Sequence, residues 1–148
     1  SINELVSIIA HEVGHYKKRH NIKGIVVGVF QSGIMFFMLS IFLNNPELFE
    51  AFGMKNLSIY ASLLFFSLLY SPIDLILSFI GNKISRIHEF EADTFAHKSI
   101  GTGKYLIEGL KKLTVTNLGN LAPHPFTVWL NYSHPPVLDR IRALDCAD

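Results

Sequence analysis

Two long apolar runs dominate the pattern of hydrophobic and polar positions along this chain. The first covers residues 25–43, and the second covers residues 57–80 with a single charge at Asp74. Each run is long enough to cross about 30 Å of hydrocarbon as a helix. Both are apolar all round, which favours membrane spans over the alternative of two buried helices in a soluble core. Asp74 is then either a functional group within the membrane or a side chain that reaches water at the interface.

The two predicted spans form a hairpin, which returns the chain to the side of the membrane that it left. Basic residues are concentrated beside the hairpin, whereas its connecting loop combines one basic with two acidic residues. These are Lys17, Lys18, Arg19 and Lys23 before the first span, Lys83 and Arg86 after the second, and Lys55, Glu47 and Glu50 in the loop. Because basic flanks face the cytoplasm, the segments on either side of the hairpin are predicted to lie there.

Shorter segments outside the hairpin complete an all-α prediction. Residues 2–16 form one helix, and the second span continues as a helix through residues 85–93. Residues 102–113 carry an apolar stripe with charged residues opposite, as in an amphipathic helix. Residues 114–131 are rich in Asn, Gly, Pro and Thr and are predicted to be a loop, after which Val137, Ile141 and Leu144 indicate a final short helix.

Composition agrees with a chain that is partly within a membrane. Hydrophobic residues make up 49% of the 148 residues and charged residues 17%, and the mean hydropathy is +0.32. A net charge of +1 without a basic stripe argues against nucleic acid as a partner. Cys146 is the single cysteine, so no disulfide can form within the chain.

The first helix contains the pattern H-E-x-x-H at residues 11–15. His11 and His15 are four residues apart, so their side chains share one helix face and can bind a single Zn²⁺ ion. Glu12 lies between them, where its carboxylate can take a proton from an attacking water. A pair of buried, packed histidines is the alternative interpretation of the same spacing.

The helix that follows the second span supplies candidates for a third metal ligand. Glu89 and Asp93 are also four residues apart and share a face. Two histidines and one glutamate are a common ligand set for catalytic zinc, and Asp93 is placed to accept the second ring N–H of a zinc-bound histidine. Glu91 is a rival ligand about 200° around the helix from Glu89. His88 and His97 also remain open, and a solvated charged face is the alternative for all of these residues.

Together these motifs resemble the M48 family of membrane zinc metalloproteases, and within it the CaaX prenyl proteases of the Ste24 type. The resemblance rests on the H-E-x-x-H pattern, the two apolar runs and three further segments. Those segments are Ser85-Arg86-x-x-Glu89-Phe90-Glu91-Ala92-Asp93, Asn117-Leu118-Gly119 with Trp129, and Tyr132-Ser133-His134-Pro135-Pro136 with Arg140-Ile141-Arg142-Ala143-Leu144. The chain would correspond to the C-terminal third of such a protease, with the remaining spans before Ser1. Residues 1–20, 24–81 and 82–148 would then be the metal helix, the hairpin and the C-terminal active-site region of one peptidase domain.

The resemblance also implies roles for individual residues. It makes Glu89 the third zinc ligand and Asp93 the support for a zinc-bound histidine. It places His134 near the substrate carbonyl and Arg140 near the catalytic centre. From the residues alone, His134 with the two prolines that follow it is more simply interpreted as an ordinary turn at the N-terminus of a helix.

The function implied by the resemblance is that of a membrane-embedded zinc endopeptidase with one Zn²⁺ per chain. Its substrates would be prenylated proteins that end in a CaaX box and lose their last three residues. It would be a multi-pass protein of the endoplasmic reticulum in a eukaryote, or of the inner membrane in a bacterium. A heat-shock-type quality-control protease of the same family and a non-catalytic membrane scaffold are the alternatives. The segment at residues 132–136 argues against the first, and Glu12 argues against the second.

Overall fold

A computed structural model describes residues 1–43, 45–54, 56 and 58–147 of the chain. Within those residues the regular structure is helical and no strand occurs, which confirms the predicted all-α class. The helices are α1 (Ile2–Lys17), α2 (His20–Leu43), α3 (Pro46–Ala51), α4 (Ile59–Ile100), α5 (Lys104–Thr116), α6 (Pro125–Asn131) and α7 (Val137–Asp145). Lys55, assigned to the connecting loop, and Leu57, taken as the start of the second span, lie outside the described residues.

The described helices fall into two compact units. One unit comprises Lys23–Ser78, which holds most of α2, all of α3 and the first part of α4. Here α2 and α4 are long and apolar enough to cross a membrane. Their apolar side chains are largely exposed, as at Phe30 and Phe37, unlike those of a soluble core helix. This exposure favours the predicted membrane spans over buried helices.

Aromatic contacts hold the connection between the two apolar helices. The short helix α3 begins at Pro46, behind Asn45, whose side chain accepts a hydrogen bond from the backbone N–H of Leu48. Proline at the first position and asparagine before it are favourable helix starts. Phe49 of α3 is buried and meets Phe65 of α4 edge to face. Helix α3 therefore has its own N-terminal cap and packs against α4 through this aromatic contact.

The other unit comprises Ser1–Ile22 and Phe79–Asp148 and contains the candidate chemistry. Its apolar core is drawn from the end of α4 and from α5 and α7. The buried residues are Ala96, Leu106, Ile107, Leu110 and Leu144. Ala10 of α1 packs against this cluster, so apolar burial helps to fix α1 in this unit.

A polar contact reinforces the packing of α1 on α5. The ammonium of Lys112 donates to the carboxylate of Glu4 at 2.7 Å. This ammonium is the main reason that the pKa of Glu4 is lowered to about 2. The pair is exposed, so its contribution to the free energy of folding is small. It nevertheless connects the two helices beside an open cleft that both residues line.

Two boundaries in this unit differ from the sequence prediction. Helix α5 extends to Thr116, and residues 125–131, predicted as loop, form helix α6. The side chain of His124 caps α6 by accepting from the backbone N–H of Phe126, and Pro125 occupies the first position. Trp129 of α6 also stacks on Phe79 of α4 with ring centroids 4.5 Å apart. Local capping and this distant contact outweigh the loop-forming composition.

Candidate active site

The site depends on a close approach of α1 to α4 at Gly14. A Cβ atom at this position would lie 3.0 Å from the Cα and 3.1 Å from the carbonyl oxygen of Ala92. Ala92 is itself fully buried. The two small residues let the helix backbones touch, so that side chains one turn away on each helix can meet.

His11, His15 and Glu89 converge across this contact. The Nε2 atoms of the two histidines are 3.1 Å apart. Glu89 places Oε2 3.7 Å from Nε2 of His11 and Oε1 3.4 Å from Nε2 of His15. Tetrahedral zinc with bonds of 2.0–2.1 Å needs ligand atoms about 3.3–3.4 Å apart. The three residues therefore fit one zinc ion.

Asp93 and Arg140 lie directly behind two of these candidate ligands. Oδ1 of Asp93 is 2.9 Å from Nδ1 of His11, a buried nitrogen that has no well-aligned hydrogen bond to any described residue. Arg140 donates from Nε to Oδ2 of Asp93 at 2.7 Å and from Nη2 to Oδ1 at 2.6 Å. Its Nη1 is 3.1 Å from Oε2 of Glu89. One buried guanidinium thus contacts both acidic residues that the sequence placed on one helix face.

The protonation of these groups follows from their surroundings. Burial opposes charge on Asp93, yet the contacts with His11 and Arg140 hold the pKa of its carboxyl below the usual value. Burial also opposes charge on Arg140, but Asp93 and Glu89 raise its pKa. Burial, followed by the neighbouring His11, lowers the pKa of His15. A neutral His15 is the form that binds a metal.

The rival ligands from the sequence analysis lie outside this cluster. Glu91 contacts His20 instead, with its Oε2 atom 3.0 Å from Nε2 of that ring. His88 stacks on His20 at a centroid distance of 4.0 Å, and His97 lies beside Gly103 at the start of α5. The sequence analysis missed His20, although a third histidine five residues after His15 was visible in the sequence.

Glu12 and His134 face the same open cleft as the candidate ligands. The cleft has a volume of about 870 Å³ and is bordered by α1, α5 and the segment before α7. His134 is 68% exposed, and its Nδ1 atom lies 3.1 Å from Oε1 of Glu89. An exposed carboxylate and an exposed imidazole thus flank the ligand cluster on its open side, where a peptide can enter.

The segment that carries His134 is anchored by two polar residues of α4. Asn82 donates to the carbonyl of Leu130 at 2.9 Å, and Arg86 donates to the carbonyls of Val128 and Tyr132. The carbonyls of Val128 and Leu130 belong to the end of α6, and the third is that of Tyr132, the residue that caps this helix. The sequence analysis counted Arg86 only as a flanking charge. A signal for the anchor was the four-residue spacing of Asn82 and Arg86.

Comparison with known proteins agrees with this geometry. The chain matches the model of peptidase family M48 over residues 1–147. It is 38% identical over 144 residues to the CAAX prenyl protease 1 homolog of Homo sapiens, covering 95% of this chain and 30% of that protein. The homolog of Oryza sativa subsp. japonica is 36% identical over 148 residues, covering 100% and 35%. The crystal structure of S. mikatae Ste24p aligns with a TM-score of 0.81 and 28% identity, over 96% of this chain and 35% of that one.

These matches agree on one family. The chain spans 30–35% of the length of these relatives and covers nearly all of its own length in each alignment. The resemblance predicted from separated sequence motifs is therefore confirmed by the family match and by the three-dimensional alignment. This chain belongs to peptidase family M48 and is similar to its CAAX prenyl proteases.

Proposed function

We propose that this chain carries the catalytic centre of a membrane-embedded zinc endopeptidase that removes the last three residues of prenylated CaaX proteins. The observation that carries the proposal is the convergence of His11, His15 and Glu89 beside Glu12 in one open cleft. The names of the human and rice relatives support the substrate class. The whole enzyme's activity is inferred from a chain that spans about a third of those relatives.

The metal ligands are His11 and His15 through Nε2 and Glu89 through its carboxylate, with one Zn²⁺ per chain. Zinc in such a site supplies Lewis acidity, which lowers the pKa of water towards neutrality and polarises a carbonyl. Asp93 orients the His11 ring through Nδ1. Arg140 holds Asp93 and Glu89 in place and compensates their charge, because its guanidinium contacts both.

In the proposed mechanism Glu12 transfers protons, and His134 stabilises the negative charge that develops on the carbonyl oxygen. Glu12 accepts a proton from the attacking water and later delivers it to the leaving amine. His134 donates to the oxygen on which negative charge develops as the peptide carbonyl is attacked. Both side chains face the cleft, and their roles rest on this position beside the ligand cluster.

The membrane explains how such a site meets a lipid-bearing substrate. Helices α2 and α4 are the proposed spans, and the basic flanks of the hairpin support a zinc site on the cytoplasmic side. The membrane would be that of the endoplasmic reticulum in a eukaryote and the inner membrane in a bacterium. Residues 1–20, 24–81 and 82–148 are proposed as parts of one peptidase domain.

The test compares farnesylated and unfarnesylated CaaX peptides with the detergent-solubilised protein and its Glu12→Gln variant. We expect cleavage to require the prenyl group. Removing the general base should lower kcat by about 10²- to 10⁴-fold while zinc remains bound. Glu108→Gln is the control, since Glu108 is exposed on α5 and pairs with Lys111.

The other outcomes separate the alternatives. Equal cleavage of the two peptides would assign the protein to membrane quality control instead. A zinc-loaded wild type that cleaves neither peptide would favour the non-catalytic scaffold. Full activity of Glu12→Gln would exclude the proposed role of this carboxylate.

A further inference from the structure

We propose that His20 and Glu91 are positioning residues that hold the metal ligand His15 through a relay of two hydrogen bonds. The inference rests on the metal site proposed above and extends it to a part of α2 outside the H-E-x-x-H helix. Nδ1 of His20 is 3.1 Å from Nδ1 of His15. On its other side, Nε2 of His20 is 3.0 Å from Oε2 of Glu91.

The proton count of this relay agrees with a metal on His15. An imidazole that binds a metal through Nε2 carries its proton on Nδ1. His15 therefore donates from Nδ1, and Nδ1 of His20 must accept. The proton of a neutral His20 is then on Nε2, from which it donates to the carboxylate of Glu91. The two hydrogen bonds of the relay therefore have mutually consistent donors and acceptors.

The local backbone explains why His20 can reach this position. Helix α1 ends at Lys17, and Arg19 has a φ of 56°, a left-handed conformation that few non-glycine residues adopt. This residue turns the chain so that α2 begins with His20 beside the end of α1. The turn thus brings the ring back to the histidine five residues earlier.

Packing fixes the plane of the His20 ring. The residue is only 4% exposed. Its ring stacks on His88 of α4 with centroids 4.0 Å apart and an interplanar angle of 7°. The same ring meets His15 edge-on with centroids 5.0 Å apart. A ring held on two sides cannot rotate freely, so it can transmit the position of Glu91 to His15.

The relay gives each candidate histidine ligand a carboxylate behind it. Asp93 contacts His11 directly at 2.9 Å, and Glu91 reaches His15 through His20. Carboxylates in this position fix the orientation of metal-binding rings and increase their basicity. One helix, α4, thereby supplies a ligand in Glu89 and the outer partners of both histidines.

The test measures zinc release to a chelator and the visible spectrum of the Co²⁺-substituted protein. Glu91→Ala removes the outer carboxylate, whose side chain is 40% exposed, so the fold should tolerate it. His20→Phe keeps a ring but removes both nitrogens, and Glu91→Gln keeps an acceptor. Glu108→Ala is the matched control, a carboxylate of 45% exposure remote from the cluster.

We expect Glu91→Ala and His20→Phe to weaken zinc binding by about 10- to 100-fold and to change the Co²⁺ spectrum. Glu91→Gln should restore part of the loss, and Glu108→Ala should match wild type. Because the bonds are in series, the double variant should release zinc no faster than His20→Phe alone. If the two residues only stabilised the fold, the variants would lower the melting temperature, and the zinc release of the double variant would not show this non-additivity.

Zinc release and the Co²⁺ spectrum of Glu91→Ala equal to wild type would overturn the relay and leave the proposed protease intact. Faster release from the variants of a zinc-loaded protein that cleaves no CaaX peptide would support the relay and reject the proposed activity. A wild type that binds no zinc would reject both.

Discussion

Arg140 shows how one side chain can determine the geometry of a site without contacting the reacting atoms. Its guanidinium donates hydrogen bonds to both carboxylate oxygens of Asp93 and also contacts Glu89. Lysine keeps the charge but offers a single ammonium, which cannot reproduce two parallel bonds in fixed directions. We therefore expect Arg140→Lys to lower the free energy of unfolding by about 1.5–3 kcal/mol and to weaken zinc binding.

Arg142 provides the control for this prediction on the same helix. It is 75% exposed and pairs with Asp139 at 3.4 Å. Arg142→Lys should stay within about 0.5 kcal/mol of wild type, as measured by chemical unfolding of both variants. Equal stability and equal zinc content for the two variants would contradict the role assigned to Arg140.

For individual residues, short-range sequence spacing predicted more of the candidate site than contacts between distant residues did. His11, His15, Glu89 and Asp93 were predicted as site residues because residues four apart on a helix share a face. The contact of His20 with Glu91 joins residues 71 positions apart. It depends on the turn at Arg19 and on the rotation of α4, neither of which follows from residue spacing.

Between elements, the contact of α1 with α4 leaves no room for a side chain at Gly14. Gly14→Ala would place a methyl group 3.0 Å from the backbone of Ala92, so the helices must separate. We expect a loss of about 1–3 kcal/mol in unfolding free energy and weaker zinc binding, because His11 and His15 move away from Glu89.

Gly109 of α5 is the matched control for Gly14. A Cβ there would lie 3.4 Å from the flexible end of Ile8, an ordinary contact. Gly109→Ala should be neutral or stabilising by up to about 1 kcal/mol, since alanine is the better helix former. Thermal unfolding of both variants checks the prediction, and equal shifts would contradict the close-packing argument.

Element prediction failed where a distant contact decides local structure. The composition of residues 114–131 indicated a loop, yet α6 forms there. Asn82 and Arg86 of α4 donate hydrogen bonds to the carbonyls of Leu130 and Val128 at its end, and a short helix without tertiary contacts is marginal. The apolar runs and α1 were predictable because their signals lie within the segment itself.

Across the whole unit formed by Ser1–Ile22 and Phe79–Asp148, a metal would join helices that apolar packing connects only in part. The ligands lie on α1 and α4, and Arg140 of α7 closes the cluster. Binding to the folded state adds about 2.7 kcal/mol when free zinc is 100-fold above Kd. We expect chelation to lower the melting temperature of wild type at a fixed scan rate.

Glu89→Ala is the control for the chelation experiment, because it removes a ligand before the chelator is added. Its melting temperature should not depend on the chelator. A wild-type melting curve that is unchanged by chelation would contradict a metal that links the helices.

The order of the site residues along the chain also determines when each of them is synthesised. Of the site residues, His11 is synthesised first. Arg140, which contacts both Asp93 and Glu89, follows roughly 130 residues later. At 5–20 residues per second this interval lasts about 6–26 s. Both apolar helices leave the ribosome within that interval. For the proposed membrane protease, this order means that the apolar helices can enter the membrane while the cluster is still incomplete, and that stable metal loading follows the synthesis of Arg140.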